Sequence, residues 1–318
     1  MRFGKALSIL QTFVCLLPLA LPASAQNAAS PALNHDPDAA VITAADVRLF
    51  WSAYDLWLIR ELGAPEKLAG VLQSEYLDKG SAGVKAFIPG RIESADNLAR
   101  VILQHRDYYD AVRHNTEQME NFIPGIRKGL RALQRLYPEA SFPAVYFVIG
   151  AQSSGGTSSG NALIIGSEMF GEGKRYLVQL SDVVPMVMHE LAHFQQKDHS
   201  KSDLLNSAMR EGGADFIAEL VAGRHIDEFN KSYGDSHEQD LWRRFQADIK
   251  AGGKIENWMY VFEPKDGAPR DLGYYMGYKI CQSYYQISKD KAAALKTIIE
   301  MRSPEHILKD SKYGDRFQ

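Results

Sequence analysis

The sequence predicts an α+β fold that is mostly helical, with a small mixed β-sheet placed just before one apolar helix. Apolar residues recur every three or four positions through most of the chain, which is the period of an amphipathic helix. Between residues 145 and 180 the pattern changes to short runs of β-branched and aromatic residues, which predict strands. The apolar segment 183–195 follows the last of these runs directly, so we expect the sheet to lead into a buried helix.

The N-terminus has the pattern of a secretory signal peptide over residues 1–25. Arg2 and Lys5 form its positive region, an apolar run follows, and Ala23-Ser24-Ala25 is typical of a cleavage site. A transmembrane anchor is the alternative, but the run is short and is interrupted by polar residues and a proline. We therefore expect an exported bacterial protein, periplasmic or secreted, with no stable membrane insertion after cleavage.

Charge and cysteine content restrict the classes of partner and of stabilising bond. The chain has 36 Lys and Arg against 39 Asp and Glu, and this mixed, slightly negative balance argues against a nucleic-acid partner. Cys15 lies inside the signal, so Cys281 remains alone and no internal disulfide is expected. We expect Cys281 to be a buried packing residue.

Three further regions follow the signal. Residues 26–42 are rich in Ala, Asn and Pro, which predicts a disordered leader. Residues 43–140 are predicted to form a helical N-terminal part, and residues 141–318 to form the main domain core together with helical C-terminal segments. Four helices are expected in the N-terminal part. The first begins at Thr43, and the others span Pro65 to about Gly80, Ser94 to Met119, and Pro124 to Tyr137.

The predicted strands are Val145–Ile149, Ala162–Ile165 and Tyr176–Leu180. Between the first two lies Ser153–Gly160, a Ser/Gly segment that predicts a flexible surface loop, which could form the rim of an active-site cleft. It lacks the Gly-Lys-Ser/Thr ending of a phosphate-binding loop.

The apolar helix contains His189, Glu190 and His193 in an H-E-x-x-H pattern. Positions i and i+4 share one helical face, so both imidazoles could bind one Zn²⁺, with Glu190 beside them to deprotonate a metal-activated water. The alternative is an ordinary helix with two hydrogen-bonded histidines. Asp182 is the expected N-cap, and Pro185 falls in the first turn.

A catalytic zinc site needs a third protein ligand, and the next predicted helix offers one. Glu211 stands 18 residues after His193, far enough for a loop and two turns of a returning helix. Asp215 follows one turn later, where it could hold the non-metal nitrogen of a ligating histidine. Gly212 and Gly213 are poor helix formers, which suggests a close approach to the metal helix. The alternative for the two carboxylates is a solvated helical face.

HELAH followed by EGGAD resembles the gluzincin metallopeptidases, the clan of thermolysin and the zinc aminopeptidases. The resemblance implies a zincin-like fold and one Zn²⁺ per chain, held by His189, His193 and Glu211. It also implies that Glu190 is the general base and that Asp215 holds the non-metal nitrogen of a ligating histidine. A metzincin would need a glycine and a third histidine after His193, and FQQKDH does not supply that pattern. The aminopeptidase motif G-x-M-E-N is also absent.

Within that clan, the chain is most similar to bacterial predicted zinc-dependent proteases related to gliding-motility lipoprotein B. The shared features are LIIG before the site, HELAHFQQ, EGGADFIAEL and a late GYYMGYKI, over roughly residues 140 to 290. The resemblance implies a reaction class and leaves the substrate open.

Hydrolysis also requires a donor for the developing oxyanion, which gluzincins often supply from a later helix. The segment GYYMGYKI offers Tyr274, Tyr275 and Tyr278, and Gly277 would permit close helix approach. We favour Tyr274, and core aromatics are the alternative for all three.

The sequence as a whole therefore predicts an exported zinc metallopeptidase acting on peptides or proteins. Two alternatives stay open: a zinc hydrolase of a non-peptide bond, and a non-catalytic cell-envelope binding protein that retains the metal site.

Overall fold

The computed structural model describes residues 34–171, 178–197, 201–260 and 268–317, so the expected signal peptide lies outside the described residues. The described part is mostly helical around a small mixed sheet, which confirms the α+β prediction. The helices are α1 (Ala45–Arg60), α2 (Pro65–Leu72), α3 (Ala82–Phe87), α4 (Ala95–Gln104), α5 (Arg106–Thr116), α6 (Ile123–Leu136), α7 (Val183–Gln195), α8 (Leu204–Ala222), α9 (Glu228–Ala251), α10 (Leu272–Ile287), α11 (Lys291–Glu300) and α12 (Pro304–Asp310).

The central sheet has four strands in the order β1 (Ile42–Thr43), β2 (Ala144–Val148), β4 (Ala162–Gly166) and β3 (Gly156–Ser159). The first three run parallel, and β3 lies antiparallel to β4 at the edge. Every residue of β2 and β4 is buried, as expected for near-continuous apolar strands covered on both faces. Both strands were predicted from the sequence.

A second, two-stranded parallel pairing joins β5 (Phe170–Gly171) to β6 (Val178–Gln179) just before α7. The strand predicted for Tyr176–Leu180 is thus present in part, while Tyr176 and Leu177 lie outside the described residues. Asp182 stands at the N-cap position of α7, but its side chain makes no capping bond there. It accepts from the Gln179 N–H at 3.3 Å and pairs with Arg224 at 2.6 Å instead.

The Ser/Gly segment is more ordered than predicted. Residues 156–159 form the edge strand β3, and Ser154 is 2% exposed. The prediction of a flexible surface loop is therefore wrong for this part, because backbone pairing with β4 replaces the hydrogen bonds to water that a free loop would make.

The long helix predicted for Ser94–Met119 is two helices, α4 and α5. The backbone of His105 leaves the helical region, at φ −126° and ψ 35°, and redirects the chain. In the new direction the Tyr108 hydroxyl donates to the Glu168 carbonyl at 2.6 Å, and the Tyr109 hydroxyl donates to the Gly150 carbonyl at 2.8 Å. Tertiary contacts thus override a continuous helical pattern.

The predicted disordered leader is ordered from residue 34 onward. Arg127 on α6 donates to the carbonyls of Pro37 and Ala40, and Ile42 pairs with Val145 in the sheet. The basic face of α6 captures backbone carbonyls that a disordered segment would leave to water, which is the physical reason for the difference.

Helices α8 and α10 approach each other at backbone distance. A Cβ added to Gly212 would lie 2.1 Å from the Tyr278 backbone nitrogen, and one added to Gly277 would lie 1.9 Å from the Ala208 carbonyl oxygen. A Cβ on Gly213 would meet the end of the Met301 side chain. The two glycines of α8 therefore serve contacts with the C-terminal helices and not with the metal-bearing helix α7, which corrects the sequence interpretation. None of the helices in the described ranges is long and apolar enough to cross a membrane.

Candidate metal centre

Helix α7 presents two histidines side by side from a buried apolar frame. The rings of His189 and His193 meet edge to face, with centroids 4.5 Å apart and planes at 88°. Their Nε2 atoms lie 2.9 Å apart, as the i, i+4 spacing predicts. His189 is 5% exposed, so its ring is held by packing and not by solvent.

Helix α8 brings a carboxylate to the same point. Asp203 caps the helix by accepting from the Asn206 N–H at 2.9 Å, and two turns later Glu211 faces α7. Its Oε2 atom lies 3.0 Å from the His193 Nε2 and 3.4 Å from the His189 Nε2. The three donor atoms lie within 4.8 Å of one another.

The other nitrogen of each histidine is engaged by a separate partner. His189 Nδ1 lies 2.7 Å from Asp215 Oδ1, and His193 Nδ1 lies 3.0 Å from Gln196 Oε1. The Gln196 amide in turn donates to the Arg210 carbonyl at 2.8 Å, which fixes its orientation. The oxygen atoms of Asp215 and Gln196 accept hydrogen bonds, so each histidine must carry its proton on Nδ1. The lone pair of each Nε2 atom is then free to face Glu211 and a shared metal ion.

This arrangement fits a cation. Two imidazole lone pairs and one carboxylate oxygen face a common point, and without a positive charge between them they would repel each other. A tetrahedral ion with bonds of 2.0–2.1 Å would separate its ligand atoms by about 3.3 Å, close to the spacing seen here. Nitrogen and carboxylate donors in a set of three are the usual ligands of a catalytic zinc ion.

The electrostatics of the site agree with that assignment. Burial favours the neutral imidazole of His189, yet the adjacent carboxylates of Asp215 and Glu211 outweigh it and raise its pKa well above the ordinary value. Burial likewise opposes ionisation of Glu211, but the histidine pair holds the pKa of this carboxyl well below its ordinary value. The pocket is therefore a region of negative potential that attracts positive charge.

Glu190 lies next to the histidines and is 4% exposed. Burial raises its pKa, while the neighbouring histidines and Arg91 oppose that rise. A Cβ added to Gly156 would lie 2.6 Å from Glu190 Oε1, so strand β3 can pass over the carboxylate only because this residue is glycine. The sequence placed Gly156 in a loop, and no local pattern linked it to Glu190.

Of the three tyrosines considered from the sequence, Tyr274 has its ring beside that of His189. Its ring lies nearly parallel to that of His189, with centroids 6.4 Å apart and planes at 15°. The Tyr275 hydroxyl donates to Asp235 at 3.1 Å. The Tyr278 hydroxyl accepts from Gln282 at 2.8 Å. The place of the Tyr274 ring beside His189, and the hydrogen bonds of the other two hydroxyls to groups outside the ligand set, favour Tyr274 for a role at the site, which stays a prediction.

Two residues near the ligands were not predicted from the sequence. Gln196 follows the end of α7, and an amide three residues after a ligand is not a recognisable signal. Arg210 is 8% exposed, and its Nε lies 3.9 Å from Glu211 Oε1. Its position immediately before Glu211 is the one indication that the sequence offered.

The chain was compared with protein families, curated proteins and solved structures. Residues 153–308 match the model of a family described as predicted Zn-dependent protease. The matched range contains His189, Glu190, His193 and Glu211, and it supports a zinc-dependent protease family for this part of the chain. No curated protein and no solved structure matches the chain.

Proposed function

We propose that the chain is an exported zinc metallopeptidase of the gluzincin type, with a zincin-like fold. The observation that supports this most directly is the convergence of the His189, His193 and Glu211 donor atoms beside a buried Glu190. The family match over residues 153–308 supports the same reaction class. The proposed export rests on the signal pattern, and fractionation of cells that express the full chain would test it.

A peptide substrate is favoured by the edge strand. Within the described residues β3 pairs with β4 alone, so its other edge has backbone groups available for an added strand. Its first residue, Gly156, lies against Glu190. An extended peptide paired with β3 would therefore pass beside the general base, whereas a small ester would gain nothing from this edge.

In the proposed mechanism, His189, His193 and Glu211 hold one Zn²⁺, which when bound supplies Lewis acidity toward the scissile carbonyl and a water. Glu190 accepts the proton of the attacking water and returns it to the leaving amine. Asp215 and Gln196 keep the ring nitrogens in the tautomer that ligation requires. Tyr274 donates a hydrogen bond to the developing oxyanion.

The test uses the mature protein, residues 26–318, and its Glu190→Gln variant. We expect close to one zinc per chain in both proteins, and cleavage of a peptide library by the wild type alone. Stoichiometric metal without cleavage of any peptide would move the assignment to a non-peptide hydrolase or a binding protein. A wild type that binds no zinc would overturn the proposal altogether.

A further inference from the structure

The N-terminal helical part places an arginine beside the segment that covers the candidate active site. Arg91 lies in the short segment Ile88–Ile92 between α3 and α4. Its carbonyl accepts a hydrogen bond from Ser153 Oγ at 2.9 Å. Ser153 lies three residues before Gly156, whose backbone rests on Glu190, so Arg91 is tied to the segment that covers the general base.

The guanidinium of Arg91 acts electrostatically on Glu190 and has no ion-pair partner within the described ranges. Its positive charge is close enough to act on the carboxyl of Glu190. Among the residues that the structure describes, no carboxylate lies within 4.0 Å of it, and its side chain makes no hydrogen bond there. A half-buried guanidinium beside a metal centre usually has an anionic partner, and the described part of the fold supplies none.

The backbone that holds Arg91 is strained and anchored. Glu93 has φ +67° and ψ −59°, and the Ser94 N–H donates to the Ile92 carbonyl at 2.9 Å, which together define a γ-turn of the rare, strained kind. The Asn97 side chain donates to the same carbonyl at 2.9 Å. A conformation that costs about 1–3 kcal/mol persists only when surrounding contacts fix it, and such residues cluster at ligand sites.

The charge of the site points to the kind of ligand that Arg91 would bind. Three buried carboxylates, those of Glu190, Glu211 and Asp215, surround the place where a bound zinc ion would supply two positive charges, and Arg210, 3.9 Å from Glu211, supplies a third. With those charges balanced, a substrate carboxylate that enters the site has no counter-charge unless a further fixed cation stands beside it. The planar fork of a guanidinium matches a carboxylate with two parallel hydrogen bonds.

We propose that Arg91 is a specificity-determining residue that binds a substrate carboxylate next to the scissile bond. The inference rests on the proposed peptidase function. The carboxylate belongs either to the C-terminus of a short peptide or to an acidic side chain. Arg91 lies outside the range of the family match, so the N-terminal helical part would set specificity for chemistry performed by the rest of the chain.

The experiment compares zinc-loaded wild type with Arg91→Gln, Arg91→Lys and a control, Arg135→Gln, which changes an exposed arginine on helix α6. Each enzyme is assayed on two matched peptide pairs. One pair differs only in a free or amidated C-terminus, and the other has Glu or Gln beside the cleaved bond. We expect Arg91→Gln to lower kcat/KM for one carboxylate-bearing peptide by roughly 10- to 100-fold, mainly through KM. The neutral partner should change by less than about twofold, and Arg91→Lys should recover only part of the loss.

Equal losses on the charged and neutral members of both pairs would overturn the inference, because Arg91 would then act through Glu190 or through the fold. The pair that responds identifies the source of the carboxylate. If the wild type cleaves no peptide, the proposed function fails, and calorimetric binding of the same peptides to zinc-loaded protein decides the inference separately. A preference for the carboxylate that disappears in Arg91→Gln supports it, and equal affinities overturn it.

Discussion

At the scale of single residues, the orientation of His193 depends on an amide from the end of its own helix. Replacing Gln196 by alanine removes the acceptor for Nδ1–H and frees the ring to rotate or to change tautomer. We expect Gln196→Ala to weaken zinc binding by about 10- to 100-fold, measured by competition with a chelator of known affinity. Gln282→Ala is the matched control, because Gln282 donates to Tyr278 and not to a histidine. Unchanged zinc affinity in Gln196→Ala would contradict this role.

The ligand set itself can be tested by two glutamates on one face of α8. Glu211 lies within 3.4 Å of both histidine Nε2 atoms, whereas Glu219 lies two turns further along the helix. We expect Glu211→Ala to lose bound metal and Glu219→Ala to retain close to one zinc per chain, measured by metal analysis of folded protein. Retention of stoichiometric metal by Glu211→Ala would mean that another group completes the site.

These residues show which parts of the site a sequence can reveal. His189, His193, Glu211 and Asp215 sit on two helices; helical periodicity places each pair on one face, and the H-E-x-x-H pattern with the spacing to Glu211 predicts that the two faces meet. Their roles as ligands and ligand partner stay predictions until metal is measured. Gln196 and Gly156 reach the site from a helix end and an edge strand, and Arg91 lies in a distant segment, so no repeating pattern relates these residues to the histidines.

At the scale of elements, the contact between α8 and α10 depends on glycines. An alanine at Gly277 would place its Cβ 1.9 Å from the Ala208 carbonyl oxygen, so the two helices must separate. We expect Gly277→Ala to lower the free energy of unfolding by about 3 kcal/mol or more, because the obstacle is backbone and cannot rotate away. Chemical denaturation followed by circular dichroism measures the change.

The control for that prediction is Gly70→Ala in the middle of α2, where an added Cβ meets nothing within 4 Å. It should stabilise the protein by roughly 0.5–1 kcal/mol through helix propensity alone. If both substitutions stabilise, the α8–α10 contact is looser than the distances indicate.

Strands and helices also show where prediction from sequence patterns fails. Strands β2 and β4 were predicted because both are continuous apolar runs. Strand β3 was missed because its short, polar sequence lacks the alternation or run of apolar residues that marks a strand, and pairing with β4 fixes its conformation. The break at His105 has the same origin, since contacts of α5 with distant carbonyls redirect a helix whose own sequence would have continued.

At the scale of the whole molecule, the N-terminal helices are joined to the sheet by buried tyrosines. The Tyr76 hydroxyl donates to the Ile149 carbonyl at 2.8 Å and accepts from the Ile149 N–H at 3.0 Å. Tyr108 and Tyr109 make similar bonds to Glu168 and Gly150. The predicted division near residue 140 therefore separates two sequence patterns that share one hydrophobic core.

The buried carboxyl of Glu168 lies at this junction and should make stability depend on pH. Its Oε1 accepts from the Gln152 N–H at 3.1 Å, its Oε2 has no partner among the described residues, and burial raises its pKa from 4.5 to about 7. Between those values the folded protein keeps a proton that the unfolded chain releases. The free energy of unfolding should therefore fall by about 3 kcal/mol as the pH rises from about 4.5 to about 7, and no further above that range.

The comparison that isolates this effect is wild type against Glu168→Gln, which is neutral at every pH and nearly the same shape. Other titrating groups contribute equally to both proteins, so the difference between their unfolding free energies removes them. We expect the variant to gain about 3 kcal/mol relative to the wild type between pH 4.5 and pH 7.5, measured by urea denaturation at constant zinc concentration. A difference that stays constant across this range would mean that Glu168 ionises as readily in the folded protein as in water. The junction of the two parts would then have to admit solvent or a counter-charge that its described contacts do not include.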